Sequence, residues 1–79
     1  MNMQQLLQKI GSGQTSFDPS GSSEPELRAF QLVAALILNA EELGYVTDVV
    51  PHRESDSGNE YYDTVVVGGI TKRGREVAG

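Results

Sequence analysis

Few side chains in this sequence have the types and spacing that catalysis requires. The chain contains one histidine, His52, and no cysteine. No serine has a general base at a recognisable spacing, and Gly11-Ser12-Gly13 lacks the Lys-Ser/Thr pair that completes a phosphate-binding loop. We therefore predict that His52 is a loop residue rather than a general base. We also predict that the protein is not an enzyme and uses no cofactor.

Metal binding has one weak candidate, the acidic segment at residues 54–60. Its alternating Glu, Asp and Asn residues are similar to a calcium loop. The segment lacks both the D-x-[DN]-x-[DN]-G register and the distant glutamate that such loops need. A solvated hairpin tip explains the same composition, so we predict no metal site.

The charge balance bears on nucleic-acid binding. Eleven acidic residues face six basic ones, which gives a net charge of −5. Phosphate backbones attract basic surfaces, so this balance disfavours non-specific binding to DNA. Lys72, Arg73 and Arg75 make the C-terminal end locally positive. They could bind phosphate beside a helix cap at Thr71, and the alternative is a cationic, solvated chain end.

The clearest structural signal is a helix over residues 24–43. Ser23 and Glu26 have the S-x-x-E spacing of a capping box, and Pro25 suits the first turn. Gly44 is typical of the residue after a helix end. Apolar residues cover most of the circumference, which predicts a helix packed on more than one side. The only polar stripe comprises Arg28, Gln31, Ala35, Asn39 and Glu42.

Shorter elements precede and follow this helix. Residues 3–10 have apolar side chains at helical spacing, and residues 11–23 have the Gly/Ser composition of a flexible loop. A short strand at residues 14–17 could add to a sheet. At the C-terminal end, Thr71 can cap a last helical turn that extends to Val77.

Two β-strands are predicted between the long helix and the C-terminal turn. Residues 45–50 and 61–67 are rich in β-branched and aromatic residues, and Pro51 is expected to end the first strand. Residues 52–60 are polar throughout and would form the solvated tip of an antiparallel hairpin. Gly68-Gly69 would form a turn after the second strand.

The order of these segments resembles the second half of a winged-helix domain. Gly44-Tyr45-Val46 is similar to the step with which a helix enters the wing hairpin, and residues 70–76 are similar to the segment that opens the final helix. The closest resemblance is to the YjcQ-like group of small bacterial and phage proteins. It covers residues 24–79 and implies a DNA-binding fold. A winged helix has three helices before the wing, whereas this chain offers one short and one long helix.

DNA recognition would use the exposed side of the long helix together with the hairpin and the C-terminal end. Three acidic residues, Glu24, Glu26 and Glu42, would repel the same phosphates. An ordinary solvated surface is the competing interpretation. The residues assigned to DNA under this hypothesis are Arg28, Gln31, Arg53, Lys72, Arg73 and Arg75.

Protein binding is the other hypothesis. A short chain has little material to cover an apolar helix, so Leu32, Leu36 and Leu43 could form an exposed patch for a homodimer or a partner protein. The alternative, burial of all three leucines within one monomer, looks the same in sequence.

We therefore predict one small α+β domain over residues 1–79 that is winged-helix-like. A long central helix packs on a two- or three-stranded antiparallel sheet, with short N- and C-terminal helices. We expect a non-enzymatic interaction module that acts through protein contacts or self-association, and the alternative is a DNA-binding transcriptional regulator. With no apolar run of roughly 20 residues and no targeting segment, we expect a cytoplasmic protein without a membrane partner.

Overall fold

A computed structural model describes residues 1–56 and 58–79 and shows an α+β fold. Three helices combine with small antiparallel sheets. In chain order the elements are α1 (Met3–Gly11), β1 (Ser16–Phe17), α2 (Glu24–Glu42), β2 (Val46–Thr47), β3 (Val50–Asp56), β4 (Asn59–Val66), β5 (Gly69–Ile70) and α3 (Lys72–Ala78).

The three helices begin close to where the sequence predicts. The Ser23 hydroxyl accepts from the backbone N–H of Glu26 at the start of α2, and the Thr71 hydroxyl accepts from Gly74 at the start of α3. The Glu26 carboxylate also accepts from the hydroxyls of Ser20 and Ser23. These hydrogen bonds, led by that from Ser23, lower the pKa of Glu26.

The main sheet has three antiparallel strands in the order β1-β4-β3. The predicted short strand near Phe17 is confirmed, since Ser16 and Phe17 pair with Val66 and Val65 of β4. β1 covers only that end of β4. Beyond it, β4 is paired with β3 alone among the described strands.

The predicted hairpin boundaries are wrong. Pro51 does not end a strand but lies within β3, an edge strand where its missing N–H is tolerated. The polar segment predicted as a long tip forms most of β3, and Ser57, within that predicted tip, lies outside the described residues. These strands are exposed to water over much of their length, so they lack the apolar alternation of a half-buried strand.

The predicted strand at residues 45–50 is divided in two. Asp48 adopts a left-handed conformation with φ of 55°, which ends β2 and redirects the chain into β3. β2 pairs instead with β5 in a separate two-stranded sheet. Gly69, predicted to lie in a turn, is therefore in a strand. A Cβ at Gly68 would lie 2.5 Å from that of Asp48, so the two chain segments approach closely here.

The core lies between α1, the inner face of α2 and the sheets. It comprises Leu6, Leu7, Ile10, Phe17, Phe30, Ala34, Ile37, Ala40, Val46, Val65 and Val67. Helix α2 packs mainly on β4, and α1 packs on α3. Helix α2 also contacts α1 and β2, while its outer face, with Leu32, stays exposed. A chain of this size has too few other elements to cover both faces.

Among the described residues, no helix combines the length and apolar character needed to cross a membrane.

Candidate functional site

The outer face of α2 carries residues at alternating three- and four-residue steps. We name this surface the outer seam and define it by Ala29, Leu32, Leu36, Asn39 and Leu43. Leu32 is 75% exposed and Leu43 is 41% exposed. Leu36 is half-buried and also contacts the core. Steps that average 3.5 residues keep side chains on one line along a helix, as in a coiled-coil interface.

Met1 extends this apolar surface sideways. Its side chain is exposed and lines a shallow concavity with Ala29, Leu32, Val33 and Leu36. The apolar area therefore includes Met1, which precedes α1, as well as residues of α2. An exposed Leu on its own is ordinary, but a continuous apolar surface marks a contact site.

Charges flank the outer seam unevenly. Arg28 lies near the N-terminal end of α2 and forms a 2.6 Å ion pair with Glu24. The last turn holds no basic residue and carries Glu41 and Glu42. One carboxylate oxygen of Glu41 accepts from the backbone N–H of Val49 at 3.2 Å. The Arg28–Glu24 pair therefore lies at one end of this face, and Glu41 and Glu42 lie at the other.

Gln31 is not part of a solvated polar stripe, contrary to the prediction. Its side-chain oxygen accepts from the Tyr62 N–H at 2.7 Å, and its side-chain nitrogen donates to the Tyr62 carbonyl at 2.8 Å. The side chain thus takes the place of a strand partner on β4 beyond the end of β1. Both amide atoms are occupied within the fold, and base recognition needs these same atoms.

Arg53 is also engaged within the hairpin. Its guanidinium lies 5.2 Å from the centre of the Tyr62 ring and donates to the Tyr62 hydroxyl at 3.3 Å. It also pairs with Glu60 at 3.5 Å. These partners, led by the Tyr62 hydrogen bond, raise the pKa of Arg53. Arg53 is therefore a cross-strand contact of β3 and β4 in this structure.

The remaining predicted DNA ligands lie on α3. Lys72, Arg73 and Arg75 are exposed, and the Arg73 guanidinium lies 5.9 Å from the centre of the Tyr45 ring. Among the residues that the structure describes, none of these three forms an ion pair. Helix α3 packs on α1, whereas Arg28 and Arg53 lie on α2 and β3. The predicted set is thus divided over three elements.

The hairpin brings together a cluster of side chains that was not predicted from the sequence. His52 lies in β3, so its assignment to a loop is wrong. Its Nδ1 lies 2.5 Å from Oδ1 of Asp63, and Glu54 completes a group whose ligand atoms all lie within 4.8 Å of one another. The hydrogen bond to Asp63, together with that residue's charge, raises the pKa of His52. The i, i+2 spacing of His52 and Glu54 was the available signal, but it requires a strand.

The outer seam is thus an exposed apolar surface on α2, and the hairpin cluster combines one imidazole with two carboxylates. No protein-family model, curated protein or solved structure matches this chain.

Proposed function

We propose that this protein is a non-enzymatic interaction module that self-associates through the outer seam of α2. The observation that carries the proposal is the 75% exposure of Leu32 on a helix whose opposite face is fully buried. Leaving a leucine in water forfeits about 1.5–3 kcal/mol relative to burying it. A two-fold interface would recover this free energy twice, once from each copy.

The spacing of the outer seam favours a second helix as its partner. Residues at positions a and d of a heptad insert between four residues of a facing helix. Leu32 and Leu36 would form the centre of such an interface, and the small side chain of Ala29 would allow close approach. A second copy of α2 offers the same spacing and needs no other partner. Symmetric pairing of one patch with itself is the commonest form of oligomer.

The charges favour an antiparallel arrangement. A parallel pair would place Glu41 and Glu42 beside the same residues of the second copy, where no basic residue of α2 lies. An antiparallel pair would bring Arg28 of each helix to the acidic end of the other. It would also align the two helix dipoles favourably. Both effects direct orientation more than affinity, since exposed ion pairs contribute little.

The register follows from the apolar positions. With the two-fold axis level with Ala34, Leu32 of each copy packs on Leu36 of the other, and Ala29 lies opposite Asn39. Arg28 then lies level with residue 40 of the second copy, within one turn of Glu41. Only a few leucines are buried, while association costs at least about 4 kcal/mol. We therefore expect a weak, concentration-dependent dimer.

Sedimentation equilibrium of the untagged protein tests this proposal. We expect the wild type to shift from monomer to dimer as its concentration rises, and we expect Leu32→Glu to remain monomeric. Val50→Glu is the matched control, because it introduces the same charge at another exposed aliphatic residue, on β3. Circular dichroism should show that both variants are folded. A wild type that stays monomeric, or equal weakening by both variants, would overturn the proposal.

A DNA-binding regulator is the second candidate. Two features support it: the resemblance to winged-helix proteins and the exposed cluster of Lys72, Arg73 and Arg75. Two others weigh against it. Gln31 is committed to β4, and only two helices precede the hairpin in the described chain.

Titration of labelled duplex DNA at low salt tests this second candidate. If the cluster on α3 binds phosphate, replacing all three of its basic residues with alanine should weaken binding and flatten its salt dependence. Arg28→Ala is a useful comparison, because it removes one positive charge from a different element. Absence of binding at micromolar protein would exclude this candidate.

A further inference from the structure

The hairpin holds its histidine and two carboxylates on one side of the sheet. His52 and Glu54 are two residues apart in β3, and residues at this spacing point to the same face of a strand. A β-bulge in β4 places Asp63 beside these two residues. His52 pairs with Thr64 and Arg53 pairs with Tyr62, so Asp63 is the extra residue of β4 between these pairs. Bulges of this kind redirect a side chain.

Within the part of the chain that the structure describes, the carboxylates of this cluster are not balanced by a lysine or an arginine. Arg53, the nearest arginine along β3, is directed to Tyr62 and Glu60. Among the described residues, neither Glu54 nor Asp63 forms an ion pair with lysine or arginine. When the His52 imidazole is neutral, two carboxylates therefore lie close together with a nitrogen donor beside them. A divalent cation would neutralise both carboxylates and accept all three donors.

We propose that His52, Glu54 and Asp63 bind a divalent transition-metal cation of the Zn²⁺ type. An imidazole ligand favours Zn²⁺, Ni²⁺ and Co²⁺ over Mg²⁺ and Ca²⁺, which prefer oxygen ligands alone. Three protein ligands leave at least one coordination position for water. The exposure of His52 and Glu54 keeps this position open to solvent.

Only side-chain movement is needed to form the site. Zinc lies about 2.0–2.2 Å from its N and O ligands, so tetrahedral donors lie roughly 3.4 Å apart. The His52 and Asp63 donors would separate from their present 2.5 Å as the cation takes the place of the shared proton. The Glu54 carboxylate, within 4.8 Å of both, would move inward. The backbone of the two paired strands stays fixed, so most of the site is already organised.

Isothermal titration of the untagged protein with ZnCl₂, in a buffer that does not chelate zinc, tests the proposal. We expect one saturable site per chain and no comparable heat from MgCl₂. His52→Ala and Asp63→Asn should each weaken zinc binding by at least about 10-fold, since even residues that only orient ligands have effects of this size. Glu60→Gln is the matched control, because it removes an acid of the same hairpin outside the cluster and should leave binding unchanged.

A second readout locates the metal directly. His52 is the only histidine in the chain, so its imidazole signals in an NMR spectrum are unambiguous. Zinc should shift these signals, and substoichiometric Co²⁺ should broaden them together with the amide signals of Glu54 and Asp63. Spectra of the two ligand variants would verify that each remains folded. Absence of saturable zinc binding, or undiminished binding in His52→Ala, would overturn the proposal.

Discussion

Replacement of Gln31 by alanine should destabilise the protein, because this side chain joins α2 to the backbone of β4 beyond the end of β1. The amide exchanges two hydrogen bonds with the Tyr62 backbone, at 2.7 and 2.8 Å. Both are part-buried. Alanine would leave the N–H and the carbonyl of Tyr62 without these partners, and the described strands offer no replacement on that side of β4.

The magnitude follows from these two contacts. A typical intramolecular hydrogen bond contributes about 1 kcal/mol net to the free energy of unfolding. Two such bonds therefore predict a loss of about 2 kcal/mol for Gln31→Ala. For a domain of this size, 1 kcal/mol corresponds to roughly 4–8 °C in Tm, so Tm should fall by roughly 10 °C or somewhat more. The slightly higher helix propensity of alanine would offset a small part of this loss.

Urea and thermal unfolding, followed by circular dichroism at one fixed protein concentration, would measure the effect. Gln31→Glu provides a graded comparison, because a carboxylate can still accept from the Tyr62 N–H but cannot donate to its carbonyl. Glu76→Ala is the control on an exposed position of α3, where surface substitutions change stability by less than about 0.5 kcal/mol. Equal stability of Gln31→Ala and the control would refute the structural role of this amide. Loss of DNA binding at unchanged stability would assign Gln31 to base recognition instead.

Further predictions concern glycines and pH. Gly74→Ala should destabilise by about 1–3 kcal/mol, because its Cβ would lie 2.2 Å from the Tyr45 carbonyl oxygen. Gly11→Ala, in α1, should instead stabilise the protein by up to about 1 kcal/mol, since the added Cβ would lie at an ordinary 3.8 Å from Ile70. Unfolding curves that show Gly74→Ala to be more stable than Gly11→Ala would contradict the packing of α3. The hydrogen bond to Asp63 raises the pKa of His52 in the folded protein above its ordinary value of 6.5. The pair should therefore stabilise the fold fully below pH 6.5, and this stabilisation should be lost as the pH rises through the raised pKa. Asp63→Asn should remove this pH dependence of Tm, and an unchanged profile would contradict the pairing.

Local signals were sufficient to predict the helix boundaries. Ser23 and Thr71 each precede a helix, and each hydroxyl accepts from the backbone N–H of the residue three positions later. This interaction needs only neighbouring residues. The short strand at Ser16–Phe17 was also predictable, because Phe17 is the one large apolar residue in a polar segment. The pairing of that strand with β4 was not predictable in the same way, because it joins residues that are far apart in the sequence.

Neither the hairpin nor the exposed face of α2 could be predicted from local sequence, because both are determined by contacts between distant parts of the chain. Polar residues around His52 suggested a loop, because a strand that is exposed to water lacks an apolar repeat. The left-handed conformation of Asp48 and the bulge at Asp63 follow from packing and pairing across the sheet. Leu32 and Ile37 look alike in a helix that is apolar around most of its circumference, yet one is 75% exposed and the other is fully buried. Only the position of β4 distinguishes them.

The antiparallel dimer through α2 is tested most directly by a distance between two spin labels. The chain has no cysteine, so Glu24→Cys accepts a single label per copy at the exposed start of α2. With the two-fold axis level with Ala34, a rise of 1.5 Å per residue separates the two labels by about 30 Å along the helix axes. Pulsed dipolar spectroscopy at a concentration that populates the dimer should therefore show a distance near this value. A much shorter distance would indicate a parallel pair, and the absence of any defined distance would contradict self-association through the outer seam.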